Sequence, residues 1–571
     1  MQTRHRLIWI GFSMSVLHSL KSFVRYFATG ATGLALIVAA WWLTVDSFPF
    51  WKLAAATGTN PLSLAGVKFY ASAWLGLFFL FAALGTLLAA IMDRRLYKAL
   101  LIILSLIGAG GFGFSLLYGA VMSPDMLRNA FATNVAETRD LISPGLIFTF
   151  LCAAIPPILL IWKFPLKPAP LKDHAMRFLA AIALVIFGIV SLLADFQGFS
   201  YFIRGQKSAR YLLTPVNIVY SAVKTQFSDE APGSVKVRTI VDKTPTLSPA
   251  PSATERPLLV VVVTGETARA ANWGLDGYDR DTTPELRKEG VVNYTDASSC
   301  GTSTDVSVPC MFSRIGRENY NRKKIITEEP LPAVLQRAGV KTLWVDNQGG
   351  DKGASQGTPY TEPVKSLPKA LRDSVCPNGE CYDEGMVPYI DQEKLKPGTV
   401  NALFFHMMGS HGPAYAKRYP EKFNKWGPVC TNSDLRSCDP KSIRNAYDNS
   451  ILYTDHVLSS MIDKLKAMKD ADTALIYMSD HGESLGEKGL FLHGAPYAIA
   501  PSEQTHIPMI LWVSDGLRSR LGIAKGCLEA GAKKPVSHDD IWSTVLALTQ
   551  VKSSTYNAKQ DITAACRKPS K

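Results

Sequence analysis

The stretch Leu258-Leu-Val-Val-Val-Val-Thr-Gly-Glu266 begins with six consecutive apolar residues and ends in a carboxylate. An unbroken apolar run of this length is typical of a strand that is covered on both faces of its sheet. Similar short runs recur at 341–345, 402–406, 474–478 and 507–513, and helical periodicity is clearest over 442–468. Strands alternating with helices predict an α/β domain with a mainly parallel sheet.

Polar side chains follow several of these runs, and parallel sheets place their ligands at the carboxyl ends of strands. The residues in question are Glu266, His406, His411, Asp480 and His481. Asp480 and His481 pair a hard oxygen with an imidazole, and both ligand types suit Zn²⁺. A single histidine in such a place is often structural, and His406, with apolar neighbours, is predicted to lie in the core or to support the site.

A second stretch supplies the candidate nucleophiles. Cys300-Gly-Thr-Ser-Thr-Asp-Val-Ser-Val-Pro-Cys310 carries four hydroxyl side chains, Thr302, Ser303, Thr304 and Ser307. A hydroxyl is a weak nucleophile unless a base or a metal activates it. The candidate partners are Glu266, His411, Asp480-His481 and His493, which precedes a glycine. The pattern predicts a metal-assisted group transfer, but the spacing does not choose among the four hydroxyls.

The nine cysteines divide between the two halves of the chain. Cys152 lies in an apolar run, whereas the other eight lie at 300, 310, 376, 381, 430, 438, 527 and 566. Three close spacings predict the disulfides Cys300–Cys310, Cys376–Cys381 and Cys430–Cys438, which leaves Cys527 with Cys566. Disulfides require an oxidising compartment. Reduced cysteines or a zinc cluster are the alternative, which the lack of any C-x2-C pair disfavours.

The first 196 residues are predicted to form a transmembrane domain. Five stretches, at about 28–47, 69–92, 99–122, 145–163 and 178–196, are long and apolar enough to cross a bilayer, and Pro156-Pro157 is expected to kink the fourth. With a cytoplasmic N-terminus, the inner segments carry eleven Lys or Arg residues and the outer loops four, as the positive-inside rule requires. Five spans then place residues 258–571 outside, where cysteines oxidise.

Two other segments have a less regular pattern. Residues 197–257 combine an aromatic and basic beginning, which suits the membrane interface, with a Pro/Ser/Thr-rich end at 244–254 that we expect to be a mobile linker with little packing. The polar loop at 123–144 is either a solvated loop or a wall of the active site, in which Asn129 and Glu137 would contact an ammonium headgroup.

The overall charge of +13 suggests anionic membrane surfaces or acidic substrates as partners. No nucleic-acid-binding signature accompanies it, so the sequence argues against a nucleic-acid partner.

Six long motifs together resemble those of the phosphoethanolamine transferases, a family that includes lipid A-modifying enzymes of Gram-negative inner membranes and the mobile colistin-resistance enzymes. The motifs are Thr264-Gly-Glu-Thr-Ala-Arg-Ala-Ala-Asn-Trp-Gly274, Gly277-Tyr-Asp-Arg-Asp-Thr-Thr-Pro284, Ser299-Cys-Gly-Thr-Ser-Thr304, Ser307-Val-Pro-Cys-Met-Phe312, His411-Gly-Pro-Ala-Tyr415 and Ser479-Asp-His-Gly-Glu-Ser-Leu-Gly486. The resemblance covers nearly the whole chain, because the membrane anchor and the linker match as well.

The resemblance implies five transmembrane helices and a periplasmic, zinc-dependent domain with an alkaline-phosphatase or sulfatase-like fold. Matched position by position, the nucleophile is Thr304, and the zinc ligands are Glu266, Thr304, Asp480 and His481. His411 and His493 match residues that bind a second metal or the transferred phosphoryl group. Lys352 matches a lysine that contacts the headgroup, and Asn129 and Glu137 match polar residues that bind the lipid donor. Asp305 departs from the family, where a small apolar residue is expected, and its charge would either disfavour an anionic substrate or point away.

The implied reaction moves phosphoethanolamine from phosphatidylethanolamine to a lipid A phosphate of lipopolysaccharide through a threonine-bound intermediate. This would lower the negative charge of the outer membrane and give polymyxin resistance. The resemblance leaves open another envelope acceptor, such as heptose or Kdo, and a phosphoglycerol transferase or sulfatase of the same superfamily. A non-enzymatic envelope protein is the alternative outside the enzymes. We expect an inner-membrane monomer.

Overall fold

The computed structural model describes residues 30–56, 61–132, 138–139, 141–206, 208–227, 237–391, 395–432 and 435–567. These residues form two compact units. The first takes in the described residues up to Leu117 together with Val121–Ser123 and Pro144–Ala222, and the second takes in Tyr118–Ala120, Pro124–Ser143 and the described residues from Val223 onward. The polar segment after Pro124 therefore belongs to the second unit, although apolar stretches flank it in the sequence.

The first unit is helical. Among the described residues, four helices are long and apolar enough to cross a membrane: Leu64–Ile91, Arg94–Tyr118, Pro144–Lys163 and Leu171–Leu193. A bent pair, Ala31–Asp46 and Phe48–Ala56, turns by 50° and makes a fifth span if it is counted as one. The predicted number of five therefore depends on how this pair is counted. Pro156 and Pro157 lie inside one continuous helix. Shorter helices follow at Phe196–Gly205 and Val216–Phe227.

Glycine residues allow two of the long helices, Leu64–Ile91 and Leu171–Leu193, to pack closely. A Cβ atom on Gly188 would lie 3.0 Å from the backbone oxygen of Gly76. Glycine at such a crossing lets helix backbones approach, as in other membrane helix pairs.

Among the described residues, the strands are β1 Thr246–Leu247, β2 Leu258–Gly265, β3 Val292–Ser298, β4 Lys341–Asp346, β5 Tyr360–Thr361, β6 Val400–His406, β7 Asp472–Ser479, β8 Ser484–Leu485, β9 Phe491–Leu492, β10 His506–Val513, β11 Val536–Ser537 and β12 Val551–Lys552. Eight of them form one sheet in the second unit, with the order β11-β3-β10-β7-β2-β6-β4-β5. The strands from β7 to β5 in this order are parallel, whereas β10 is antiparallel to both of its neighbours.

Helices and loops cover the sheet. The helices of this unit are Pro124–Ala132, Pro284–Glu289, Thr304–Met311, Arg322–Thr327, Leu331–Arg337, Pro363–Ser366, Lys369–Val375, Pro440–Ala467, Ser502–Thr505, Asp515–Arg520, Cys527–Gly531 and Ile541–Leu548. All eight residues of β2 are buried, and successive residues enter opposite cores: Val260 and Val262 pack on one face, Val261 and Val263 on the other. This two-sided burial is the reason that β2 is apolar throughout.

The prediction of a mobile linker at 244–254 is wrong for at least part of that segment. β1 pairs with β12 in an antiparallel register, with Thr246 opposite Lys552. Just after it, the Ser248 N–H donates to the backbone oxygen of Gln550 at 2.9 Å. Backbone groups that find partners on a distant strand do not require an apolar side-chain pattern, so the composition gave no sign of this pairing.

Four disulfides join the pairs of cysteines that the spacing predicts: Cys300–Cys310, Cys376–Cys381, Cys430–Cys438 and Cys527–Cys566. Among the described residues, Cys152 is the free cysteine.

Candidate active site

Glu266 is the centre of the site and follows the last residue of β2. Its side chain is fully buried. Gly409, with φ +54°, lies so close that a Cβ atom there would come within 2.5 Å of the Glu266 backbone oxygen. Only glycine allows this approach in the left-handed conformation.

Thr304 lies beside Glu266. It is the first residue of the Thr304–Met311 helix, and its Oγ is 3.3 Å from each carboxylate oxygen of Glu266. The Cys300–Cys310 disulfide closes the loop and helix that carry this hydroxyl. Of the four candidate hydroxyls, Thr304 is therefore the one that the fold brings to the Glu266 carboxylate.

Asp480 and His481 follow β7, the neighbour of β2, and complete a cluster of possible metal ligands. One ligand atom from each of Glu266, Asp480 and His481 lies within 4.8 Å of the others. The Oδ2 of Asp480 and the Nε2 of His481 are buried, and neither forms a hydrogen bond with the described residues. These two atoms lie 3.2 Å apart, and His481 Nε2 is 3.5 Å from Glu266 Oε1. Burial and Glu266 raise the pKa of Asp480 well above its usual range, and burial and the neighbouring His493 hold that of His481 well below its own.

These observations fit a divalent cation. Two carboxylates buried side by side repel each other, and a metal ion would offset that repulsion. It would also bind Asp480 Oδ2 and His481 Nε2, the two atoms that form no hydrogen bond. Carboxylate, imidazole and hydroxyl donors in this number suit Zn²⁺.

His411 and His493 lie on one side of this cluster. The ring centroid of His493 is 4.3 Å from that of His481 and 5.6 Å from that of His411. Burial, with the nearby charges of His493, Arg418 and Lys352, holds the pKa of His411 well below its usual range. Lys352, which has φ +49°, is thus close enough to influence the histidine group.

Glu483 connects to His493. Its carboxylate lies 2.8 Å from His493 Nδ1 and accepts a hydrogen bond of 2.6 Å from the Tyr415 hydroxyl. A carboxylate on one ring nitrogen fixes the orientation of an imidazole and stabilises its protonated form.

His406 supports Glu266, in line with the supporting position predicted for it. Its Nδ1 lies 3.0 Å from Asp346 Oδ2, and its Nε2 lies 3.8 Å from Glu266 Oε2. Burial alone lowers the pKa of His406, but Asp346 and Glu266 outweigh burial and raise it to about 10. The two carboxylates thus favour the protonated form of this imidazole.

Two supporting residues were not identified from the sequence. Asp346 ends β4 and also accepts backbone N–H groups of Gly349 and Gly350, which precede Lys352. Its position at a strand end was the signal available. His538, which the sequence left unassigned, accepts the Cys300 N–H at 3.0 Å and lies 2.9 Å from the Ser479 oxygen. Its remote position in the chain gave no signal.

The segment from Pro124 onward contributes to the surroundings of Thr304. Arg128 lies 3.5 Å from Asp305, the residue after Thr304. Asn129, the next residue, is half-buried. Glu137 lies outside the described residues. The side chain of Asp305 thus points towards an arginine, so that its negative charge is paired.

Comparison with known proteins gives two family matches. Residues 259–551 match the family described as Sulfatase, and residues 80–228 match the family described as Phosphoethanolamine transferase EptA/EptB.

Individual relatives cover most of the chain. It is 35% identical to the phosphoethanolamine transferase EptA of Escherichia coli K12, over 81% of this chain and 85% of that protein. It is also 35% identical to the phosphatidylethanolamine transferase Mcr-1 of Escherichia coli, over 83% of this chain and 87% of that protein. The solved structure of lipooligosaccharide phosphoethanolamine transferase A from Neisseria meningitidis matches with a TM-score of 0.87 and 34% identity, covering 95% of this chain and 99% of that chain.

The fold agrees with these matches, since helices that are long and apolar enough to cross a membrane precede the domain that matches the Sulfatase family. The motif resemblance, the family matches and the full-length relatives lead to the same result. The chain belongs to the phosphoethanolamine transferase family.

Proposed function

We propose that this chain transfers phosphoethanolamine from phosphatidylethanolamine to a phosphate of lipid A through a covalent intermediate on Thr304. The observation that carries the proposal is the position of the Thr304 hydroxyl, 3.3 Å from both oxygens of a buried glutamate that belongs to a metal-ligand cluster. A hydroxyl needs such surroundings to act as a nucleophile.

The residues that would hold zinc are Glu266, Thr304, Asp480 and His481. When bound there, zinc lowers the pKa of a hydroxyl and neutralises charge that develops on phosphate oxygens. Without it, the chain offers two adjacent buried carboxylates, which are unfavourable surroundings for an anionic phosphate.

In the first half-reaction the Thr304 oxygen forms a bond to phosphorus, and the bond from phosphorus to the diacylglycerol oxygen breaks. The threonine proton leaves along its hydrogen bond to Glu266. The diacylglycerol oxygen needs a proton from another group. His493 is the better donor of the two histidines, because the Glu483 carboxylate stabilises its protonated form, whereas His411 sits where its pKa is lowered.

In the second half-reaction a phosphate oxygen of the acceptor attacks the same phosphorus, and the bond to the Thr304 oxygen breaks. The proton held by Glu266 returns to the Thr304 oxygen, and His493 recovers its proton from the acceptor phosphate or from water. The nucleophile is thereby restored, so the kinetics should be of the ping-pong type. Lys352, close to the histidine pair, is proposed to contact the headgroup or its phosphate, and Asn129 to contact the donor.

The Neisseria meningitidis protein with the matching structure is named a lipooligosaccharide phosphoethanolamine transferase, which supports an acceptor on a glycolipid of this kind, and we propose a lipid A phosphate as that acceptor. Capping the lipid A phosphates would lower the charge of the outer membrane and reduce polymyxin binding. The alternatives are the same chemistry on heptose or Kdo, or transfer of phosphoglycerol. The proposed setting is the Gram-negative inner membrane with a periplasmic catalytic domain.

The test is mass spectrometry of lipid A from a polymyxin-sensitive Gram-negative host that expresses the chain. The intact protein should add one phosphoethanolamine mass to lipid A, and Thr304→Ala should reduce this product at least 1,000-fold at equal protein level. Ser307→Ala, which removes a buried hydroxyl from the same helix, is the matched control and should retain transfer.

The possible results separate the parts of the proposal. Substantial transfer by Thr304→Ala contradicts the nucleophile. An increment on another envelope component contradicts the acceptor while leaving the chemistry intact. A glycerol phosphate increment contradicts the donor.

A further inference from the structure

A buried ion cluster lies directly behind the proposed nucleophile. Asp305 is the second residue of the Thr304–Met311 helix, and its side chain is 3% exposed. Its carboxylate lies 3.0 Å from Arg322 and 3.5 Å from Arg128, whose side chains are 8% and 5% exposed. Charges this deeply buried are found almost only where they are paired.

Arg322 holds the backbone as well as the side chain of Asp305. Its Nη1 donates to the Asp305 carbonyl oxygen at 3.0 Å, and its Nη2 donates to Oδ1 at 3.1 Å. Consecutive helix residues point about 100° apart, so Thr304 faces Glu266 while Asp305 faces the arginines. The bond from Arg322 to the Asp305 carbonyl oxygen holds the first turn of the helix and does not depend on the Asp305 carboxylate, which faces away from Glu266.

Arg128 comes from a different part of the unit, the Pro124–Ala132 helix. This helix has a second contact close to the site: a Cβ atom on Gly494, the residue after His493, would lie 3.1 Å from the sulfur of Met126. The helix thus touches both the loop of His493 and the helix of Thr304. Asn129 follows Arg128 directly and is carried by the same turn.

We propose that Asp305 is a positioning residue. Through its ion pair with Arg128 it fixes the position of the Pro124–Ala132 helix relative to Thr304. The headgroup of a phospholipid bound along this helix then lies next to the nucleophile. The inference rests on the proposed function. A loss of the Arg128–Asp305 contact should weaken binding of the donor lipid and leave the chemistry at Thr304 largely unchanged.

The test is a double-mutant cycle on the full chain with Arg128→Ala, Asp305→Ala and both together, assayed for transfer from phosphatidylethanolamine in mixed micelles. Each single change should raise the KM for the donor on the order of tenfold, the usual scale for coupled residues, with kcat changed less than threefold. The double variant should be no worse than Asp305→Ala alone, because that single change already removes the Arg128–Asp305 contact. Arg128→Lys should recover most of the loss.

Controls separate this role from folding and from the nucleophile assignment. Arg314→Ala removes an ion pair with Glu328 in which the arginine is 40% exposed, and it should leave KM unchanged. Bound zinc and the unfolding temperature of each variant report on the fold, and Asp305→Asn, of equal size, replaces any Asp305→Ala protein that does not fold. Thr304→Ala is assayed in parallel, and its activity tests the proposed function alone.

Three results would overturn the inference. One is an unchanged donor KM in both single variants, and another is a double variant whose losses multiply. The third is a fall in kcat at constant KM, which would place the effect of Asp305 on the reaction of Thr304 itself.

Discussion

A single buried imidazole joins the two loops that carry Thr304, the proposed nucleophile, and Asp480-His481, the proposed metal ligands. His538 accepts the Cys300 N–H through Nδ1, so its proton lies on Nε2 and is donated to the Ser479 oxygen. Burial lowers the pKa of His538 to about 4, compared with 6.5 for an ordinary histidine. The contact with Cys300 requires a neutral imidazole, and burial favours that form.

This contact predicts a pH dependence of stability. In the unfolded chain His538 takes up a proton near pH 6.5, whereas in the folded chain it does so only near pH 4. The contribution is complete above pH 6.5 and is lost as the pH falls towards 4, by at most about 3 kcal/mol. Unfolding temperatures of the detergent-purified chain between pH 4.5 and 7.5 should fall more steeply for the natural protein than for His538→Asn.

The control for this measurement is His456→Asn, which changes a partly exposed histidine beside Glu285 and should keep the steeper dependence. Equal slopes for the natural protein and His538→Asn would show that His538 does not titrate in this way.

At the scale of elements, the sequence predicted most of the sheet because local pattern and burial agree there. β2 is apolar since both of its faces are covered, and Glu266 and Asp480 could be expected near each other because β2 and β7 were predicted as parallel strands. The Asp305–Arg128 pair was beyond such reasoning, since it joins two segments with no shared pattern. The β1–β12 pairing depends on backbone groups, which leave little trace in composition.

The disulfides differ in the length of chain that they close, and this difference predicts how much each one contributes to the free energy of unfolding. Cys527–Cys566 spans 39 residues and Cys376–Cys381 spans 5. In the loop-entropy description, replacing the first pair by serine should cost about 4 kcal/mol of unfolding free energy and replacing the second about 2 kcal/mol. Urea unfolding of the two double variants checks the order, and a larger loss for the short loop would contradict it.

At the scale of the whole molecule, the charge pattern predicts the orientation in the membrane. Eleven basic residues against four predict a cytoplasmic N-terminus, and the four disulfides favour an oxidising compartment for the second unit.

A reporter fused after residue 571 tests this orientation. A phosphatase that is active only in the periplasm should be active there, and a fluorescent protein that matures only in the cytoplasm should remain dark. The same reporters fused after residue 94, between the second and third apolar stretches, should give the reverse pattern. A fluorescent C-terminal fusion would mean that the number of crossings is even.

The central strand has a consequence for the order of events during biogenesis. β2 carries Glu266 to the site, but its neighbour β7, which carries Asp480 and His481, is made more than 200 residues later. A chain that is still emerging from the ribosome holds one ligand without the others, and so has no means of capturing the ion selectively. For the zinc site proposed above, metal loading would follow completion of the sheet, and zinc content would measure how much of a preparation has finished folding.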